Sequence, residues 1–309
     1  MRAHIVTALV TFLFTLSVRA VDFDSRAWTG PGISVFVSGA QRGARTKNGG
    51  DETRFNPYAV ALGFERATLG WSSGFSMSYE TGHLKYASPG EYARILDRTL
   101  GFTLFGTRHF GDGFYGRGSI FLGFASQKLK GGYDGAGLRT ANGQDRSIRL
   151  GAGLEFGKIY EIGSGLRFTP HAGFDYSLVP GSDISYKRAG DSGSLAWPHQ
   201  NRYEIPLGLT LAKDFFLGEW IFTPSVDATL ISAVGHIKDV NRSARPGFMS
   251  HTGSGWKTYG VGAGHWGGRL TAGVTMAKSR RFDLDLNYMY ERHKNYRDHR
   301  VAVSAGVLF

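Results

Sequence analysis

The chain has 309 residues with 45 Gly, 9 Pro, 22 Phe, 14 Tyr, 6 Trp and no Cys, and its 36 basic against 25 acidic residues give a net charge of +11. Glycine at roughly twice its usual frequency but without a fixed G-X-Y period excludes collagen, and this many aromatics exclude a disordered polyelectrolyte. The absence of Cys removes disulfides, thiolate metal sites and cysteine nucleophiles together.

Residues 1–20 read as an export signal: a basic start at Arg2, an apolar run from Ile5 to Val18, and Val18-Arg19-Ala20, whose small residues suit signal peptidase. Cleavage near Ala20 leaves residues 21–309 as one domain. No later apolar run approaches the roughly eighteen residues of a spanning helix. The mean hydropathy of −0.21 suits a soluble exported fold or a membrane β-barrel equally.

Periodicity separates them. Tyr58, Val60, Leu62 and Phe64 alternate with Ala59, Ala61, Gly63 and Glu65; Phe75, Met77 and Tyr79 alternate with Ser76, Ser78 and Glu80. The same period of two runs through Ile148 to Phe156, Leu166 to Leu178 and Phe282 to Tyr290, and marks strands with one apolar and one polar face. Twelve strands are predicted, over 31–41, 54–66, 70–83, 98–110, 114–129, 146–158, 166–180, 202–213, 219–235, 264–278, 281–292 and 297–309. A single helical turn is expected at Pro89 to Leu96. Short links such as Phe110-Gly-Asp-Gly-Phe114 follow the even strands, and loops of about twelve to thirty residues are expected after strands one, three, five, seven and nine. An even strand number with this alternation predicts an all-β fold, a twelve-stranded antiparallel transmembrane β-barrel of outer-membrane type.

A soluble β-sandwich also alternates, but large aromatics rarely close every strand there. Here Trp71, Tyr79, Trp220, Phe222, Tyr290 and Phe309 fall at strand ends, as interfacial girdles do. Pro57, Pro170, Pro206 and Pro224 lie inside predicted strands, so rim positions or bulges are expected to hold them.

The chain stops with Val301, Val303, Ala305, Val307 and Phe309 on one face, an apolar ladder ending on an aromatic. It resembles the C-terminal signal by which the outer-membrane barrel assembly machinery recognises its substrates, with Ser304 standing where Gly is usual. The last fifty residues, especially Asp285-Leu-Asn-Tyr-Met-Tyr290, a charged hairpin and His299 to Phe309, resemble the end of an autotransporter β-domain, the translocator barrel of type V secretion. The resemblance implies a twelve-stranded barrel that normally follows a secreted passenger, with a helix threaded through its pore. Only the nine residues Val21 to Thr29 precede the first predicted strand here. At 1.5 Å per residue they make about 14 Å of helix against a hydrocarbon layer of roughly 30 Å, so a barrel without its own passenger is expected.

Candidate sites are weighed on that frame. Gly262 to Gly267 fits G-x-G-x-x-G, yet no helix follows it. Asp283, Asp285 and Glu291 as acids with His265, His293 and His299 as bases could in principle serve a rim hydrolase or a metal, but the acids alternate as lumen packing does and no HxH or HExxH spacing occurs. No catalytic residue, metal, cofactor or nucleic-acid partner is therefore assigned, and the protein is read as no enzyme. The lumen set is Glu65, Glu80, Arg149, Glu155, Arg167, Asp175, Glu204, Asp227, Arg269, Asp283, Asp285 and Glu291, a mixed lining that leans acidic and argues against a porin for acidic solutes. A channel for other small solutes and a structural or adhesive surface barrel remain as alternatives. The six outer connections and their rims carry 21 Lys and Arg against 11 Asp and Glu. That cationic excess predicts contact with the phosphates of lipopolysaccharide beside the outer-membrane lipids, with Arg242, Arg245 and Lys257 as the expected groups.

Overall fold

A computed structural model describes residues 32–48, 51–88, 91–133, 141–179, 182–188, 191–197, 200–235, 242–244, 256–258, 265–278 and 281–309. Twelve long strands make its body: β1 Gly32–Asn48, β2 Asp51–Thr68, β3 Trp71–Ser88, β4 Glu91–Gly111, β5 Phe114–Tyr133 and β6 Ala141–Lys158. The second half is β7 Leu166–Val179, β8 Gln200–Lys213, β9 Trp220–Gly235, β10 Trp266–Lys278, β11 Phe282–His293 and β12 Tyr296–Leu308. Each pairs antiparallel with its chain neighbour, and β1 pairs with β12 from Ser34↔Leu308 to Thr46↔Tyr296. The sheet is thereby closed on itself, which satisfies the backbone of every strand within the wall. No helix among the described residues is long and apolar enough to cross a membrane, a fact that says nothing about strands.

All twelve predicted strands are present, and the structure corrects their outer ends. The helical turn expected at Pro89 to Leu96 is absent: Glu91 to Leu96 belong to β4 and pair with β3 from Ser88↔Glu91 to His83↔Leu96. The long loops expected after strands one and three are likewise replaced by pairing that reaches Asn48↔Asp51 and Ser88↔Glu91. Alternating hydrophobicity reports a strand only where one face meets an apolar medium, and these extensions carry polar residues on both faces. The connections after β7 and β9 are long and hold hairpins of their own, Ser182–Arg188 with Asp191–Trp197 and Arg242–Ala244 with Trp256–Thr258.

At the opposite end the links are tight. Gly111, Asp112 and Gly113 take φ of 92°, 48° and 81°, left-handed backbone that the two glycines adopt without steric cost, and β4 turns into β5 there. The prolines are held as follows. Pairing of β1 with β2 lapses between Gln41↔Tyr58 and Ala44↔Phe55, around Pro57, and that of β7 with β8 lapses between Glu204↔Asp175 and Leu207↔Ala172, around Pro206. Pro170 and Pro224 each lie one residue past the end of a neighbouring ladder.

The two faces differ in kind. Val35, Leu62, Leu104, Ile120, Leu154, Leu207, Leu230, Leu270, Leu286 and Val303 all stand exposed around the outside. So wide an apolar band is stable only against an apolar surrounding. Aromatics edge it on both sides: Tyr58, Tyr79, Tyr203, Tyr288 and Trp266 toward the long connections, and Trp71, Phe110, Phe114, Tyr160, Phe215 and Phe309 toward the tight turns. At the lower edge Lys158 sits 4.3 Å from the Phe114 ring centre and Lys278 5.5 Å from that of Trp220, ammonium groups reaching out of the band to its polar margin.

Candidate functional site

The inward face is where the chemistry lies. Along β12, Tyr296, Asp298, Arg300 and Ser304 are buried while Val301, Val303 and Val307 are exposed, the expected alternation. The lumen residues inferred from sequence all face inward: Arg149, Arg167, Arg269, Asp283 and Asp285 are buried, and Glu155, Asp175 and Asp227 are half-buried.

Their arrangement is one of pairs lying along the wall. Asp97 of β4 and Arg149 of β6 meet in a two-point contact of 2.6 and 3.1 Å, reaching across the intervening β5. Gln127 of β5 donates to the same carboxylate at 2.9 Å. Arg269 and Glu291 stand opposite each other on β10 and β11 and bond at 2.8 Å, and His293 binds the other carboxylate oxygen at 2.8 Å. Arg42 of β1 grips Asp298 of β12 at 2.8 and 2.7 Å, with Tyr296 bonded to both partners. Arg202 pairs with Glu204, and Arg167 with Asp214 in the turn before β9. Buried charges cost several kcal/mol each unless paired and hydrogen-bonded, and Asp97 with Arg149, Arg269 with Glu291 and Arg42 with Asp298 meet that condition in the wall itself.

Toward the tight turns the lining is hydroxyl-rich. Asp227 accepts from Thr210 at 2.9 Å and Thr229 at 2.6 Å and is bonded to His171 at 2.7 Å, while Tyr115 donates to Glu155 at 3.0 Å. The His171 ring crosses β8 at Gly208, where a Cβ would overlap it. Tyr115, Glu155, His171, Thr210 and Asp227 border a cavity of about 200 Å³. Asp285 accepts from Thr275 at 2.6 Å and Ser304 at 3.1 Å.

Three sets of candidates fare differently. Val301, Val303, Val307 and Phe309 are exposed on the outer face with Ala305 half-buried among them, and Phe309 is 80% exposed with its backbone tied to Ile33. The histidines do not converge: His293 points into the lumen, His299 lies outside with its Nδ1 2.7 Å from the Tyr288 hydroxyl, and His265 meets the Ala233 carbonyl. No group of three metal-capable side chains occurs among the described residues. Arg242 and Lys257 fall in the outer hairpin, whereas Arg245 and residues 262–264 of the glycine motif lie outside the described residues. The sequence reading missed Arg42, Asp97, Arg117, Arg202, Asp298 and Arg300 as lumen residues. Arg42 and Asp97 fall one residue beyond their predicted strands, and continuing the period of two past the apolar band turns them inward.

A family model described as autotransporter beta-domain matches residues 35–289. The fold is similar to the translocator domain of autotransporter NalP from Neisseria meningitidis, with 15% identity, 94% of this chain and 91% of that chain covered, and a TM-score of 0.68. It is similar to the beta domain of the Bordetella autotransporter Brka at 16% identity, 90% and 100% coverage and a TM-score of 0.67. The transport unit of autotransporter AIDA-I from Escherichia coli aligns at 14% identity over 100% of both chains with a TM-score of 0.62. None of the curated proteins matches the chain.

Proposed function

The chain belongs to the autotransporter β-domain family, and on that premise we propose that this outer-membrane barrel acts as a translocator, conveying or holding a polypeptide segment in its lumen without enzymatic chemistry of its own. The observation that supports this best is how the lumen charges are spent. Arg149 with Asp97, Arg269 with Glu291 and Arg42 with Asp298 are compensated along the wall, between strands that are adjacent or one apart. A polypeptide in transit brings every kind of side chain. A wall whose arginines are matched in place leaves it few bare cations to stall on. Two His–carboxylate contacts resemble a general-base arrangement, but Arg269 holds the Glu291 carboxylate, and Thr210 and Thr229 hold that of Asp227.

A selective channel is the rival reading, and it needs uncompensated charge of one sign. Conductance of the refolded protein in planar bilayers separates the two. Brief, weakly selective events fit the translocator; steady anion-selective openings would overturn it. We also place the mature start at Val21 and take Val301 to Phe309 as the segment read by the assembly machinery.

A further inference from the structure

On the outside, above the apolar band, one row of side chains is basic on six consecutive strands. Arg292 of β11 stands opposite Arg297 of β12, and Arg297 opposite Arg45 of β1. Arg45 faces Arg54 of β2, Arg54 faces Lys85 of β3, and Lys85 faces Arg94 of β4. All six are exposed. Directly opposed residues on neighbouring strands sit about 5 Å apart, and like charges so placed destabilise a sheet. The only acid among the described residues to touch the row is Glu52, which bonds Arg45 at 2.8 Å and also pairs with Arg54. Lys85, Arg94, Arg292 and Arg297 have no ion pair among the described residues.

A row this costly to hold bare matches a partner carrying closely spaced negative charge. Its place identifies the partner's chemistry. Arg292 follows Tyr290, at the aromatic edge of the apolar band, by two residues, and Lys85 follows Tyr79 by six, about 20 Å along the strand. Because barrel strands tilt by roughly 40°, the row climbs obliquely from the edge of the band into the zone outside it. That is the path of a lipid headgroup layer, and it is a different surface from the outer hairpin of Arg242 and Lys257. We propose that Arg292, Arg297, Arg45, Arg54, Lys85 and Arg94 form a binding track for the phosphates of an outer-leaflet phosphoglycolipid. Arg forks meet phosphate oxygens in two-point charge-assisted hydrogen bonds, which suits five of the six. This inference rests on the outer-membrane reading above.

The test uses full-length protein refolded in detergent, with bound glycolipid counted by native mass spectrometry. The probes are bis-phosphorylated lipid A and the same glycolipid with both phosphates removed. Wild type should retain the phosphorylated form about tenfold better, as one charge-assisted hydrogen bond suffices to give. Arg45→Gln/Arg292→Gln/Arg297→Gln should lose that preference, and Arg242→Gln/Lys257→Gln should keep it. Equal retention of both glycolipids by wild type overturns the track even if the triple variant fails to fold. An unchanged preference in a folded triple variant overturns it too. Displacement of lipid A by an equal phosphate concentration of soluble polyphosphate overturns the lipid as its source. Wild-type protein that lacks the heat-modifiable migration of a folded barrel brings down the outer-membrane reading itself, a failure distinct from the others.

Discussion

Arg42 and Asp298 lie 256 residues apart and meet at the seam where the first strand closes on the last, with both side chains fully buried. The pair fastens the barrel where closure is made, and the Tyr296 hydroxyl bonds both partners. Asp298→Asn should therefore lower stability by about 3 kcal/mol in urea unfolding from vesicles, since it strands a buried guanidinium. Arg42→Met/Asp298→Leu should restore most of the loss, because replacing both charges removes the penalty. A single-variant cost under about 1 kcal/mol would show the seam does not depend on this contact.

Gly208 lets the His171 ring pass over β8 to Asp227. Gly208→Ala should cost about 1–3 kcal/mol in the same assay, as overpacking of a fixed ring does. Gly268→Ala is the control, because its added Cβ would meet nothing nearer than the Thr229 carbonyl oxygen at 4.0 Å. Equal costs for the two would refute the role given to Gly208.

The barrel was legible wherever strands cross an apolar medium, and illegible beyond it. Phe282 to Tyr290 announce β11 because each lipid-side residue is apolar and each lumen-side residue polar or charged, save Met289. Arg42, Ala44, Asp97 and Asp298 belong to equally regular strands, yet both faces there are wet or charged, so the alternation carries no hydrophobic signal. The lumen set followed from the strand phase, and which charge pairs with which did not. Asp97 finds Arg149 two strands away because of the ring's register, which no local pattern encodes.

Phe309 is expected to matter for assembly rather than export. Its ring is exposed on the lipid face while its N–H bonds the Ile33 carbonyl at 2.9 Å, so substitution leaves the closing ladder in place. Phe309→Ser should reduce the amount of heat-modifiable barrel in cells and leave processed protein in the periplasm. Undiminished barrel would remove the residue from the assembly signal.

Glu52 lies beyond the apolar band, and the hydrogen bond from Arg54 holds its carboxyl below the ordinary 4.5. A depressed carboxylate stabilises above its unfolded midpoint and loses that contribution as pH falls through its folded one, so the effect is confined to acid. A carbon-13 titration should find the Glu52 midpoint below 4.5 in wild type and closer to it in Arg54→Gln. Identical midpoints would mean that the contact is not kept in solution. Glu52→Gln should also raise retention of bis-phosphorylated lipid A, by freeing Arg45 and Arg54.

Surface display tests the translocator reading most directly. An unstructured epitope placed between Ala20 and Val21 should become accessible to antibody and to added protease on intact cells, in step with the appearance of folded barrel. An epitope that stays shielded until the outer membrane is opened, in cells where the barrel is fully folded and inserted, would contradict it.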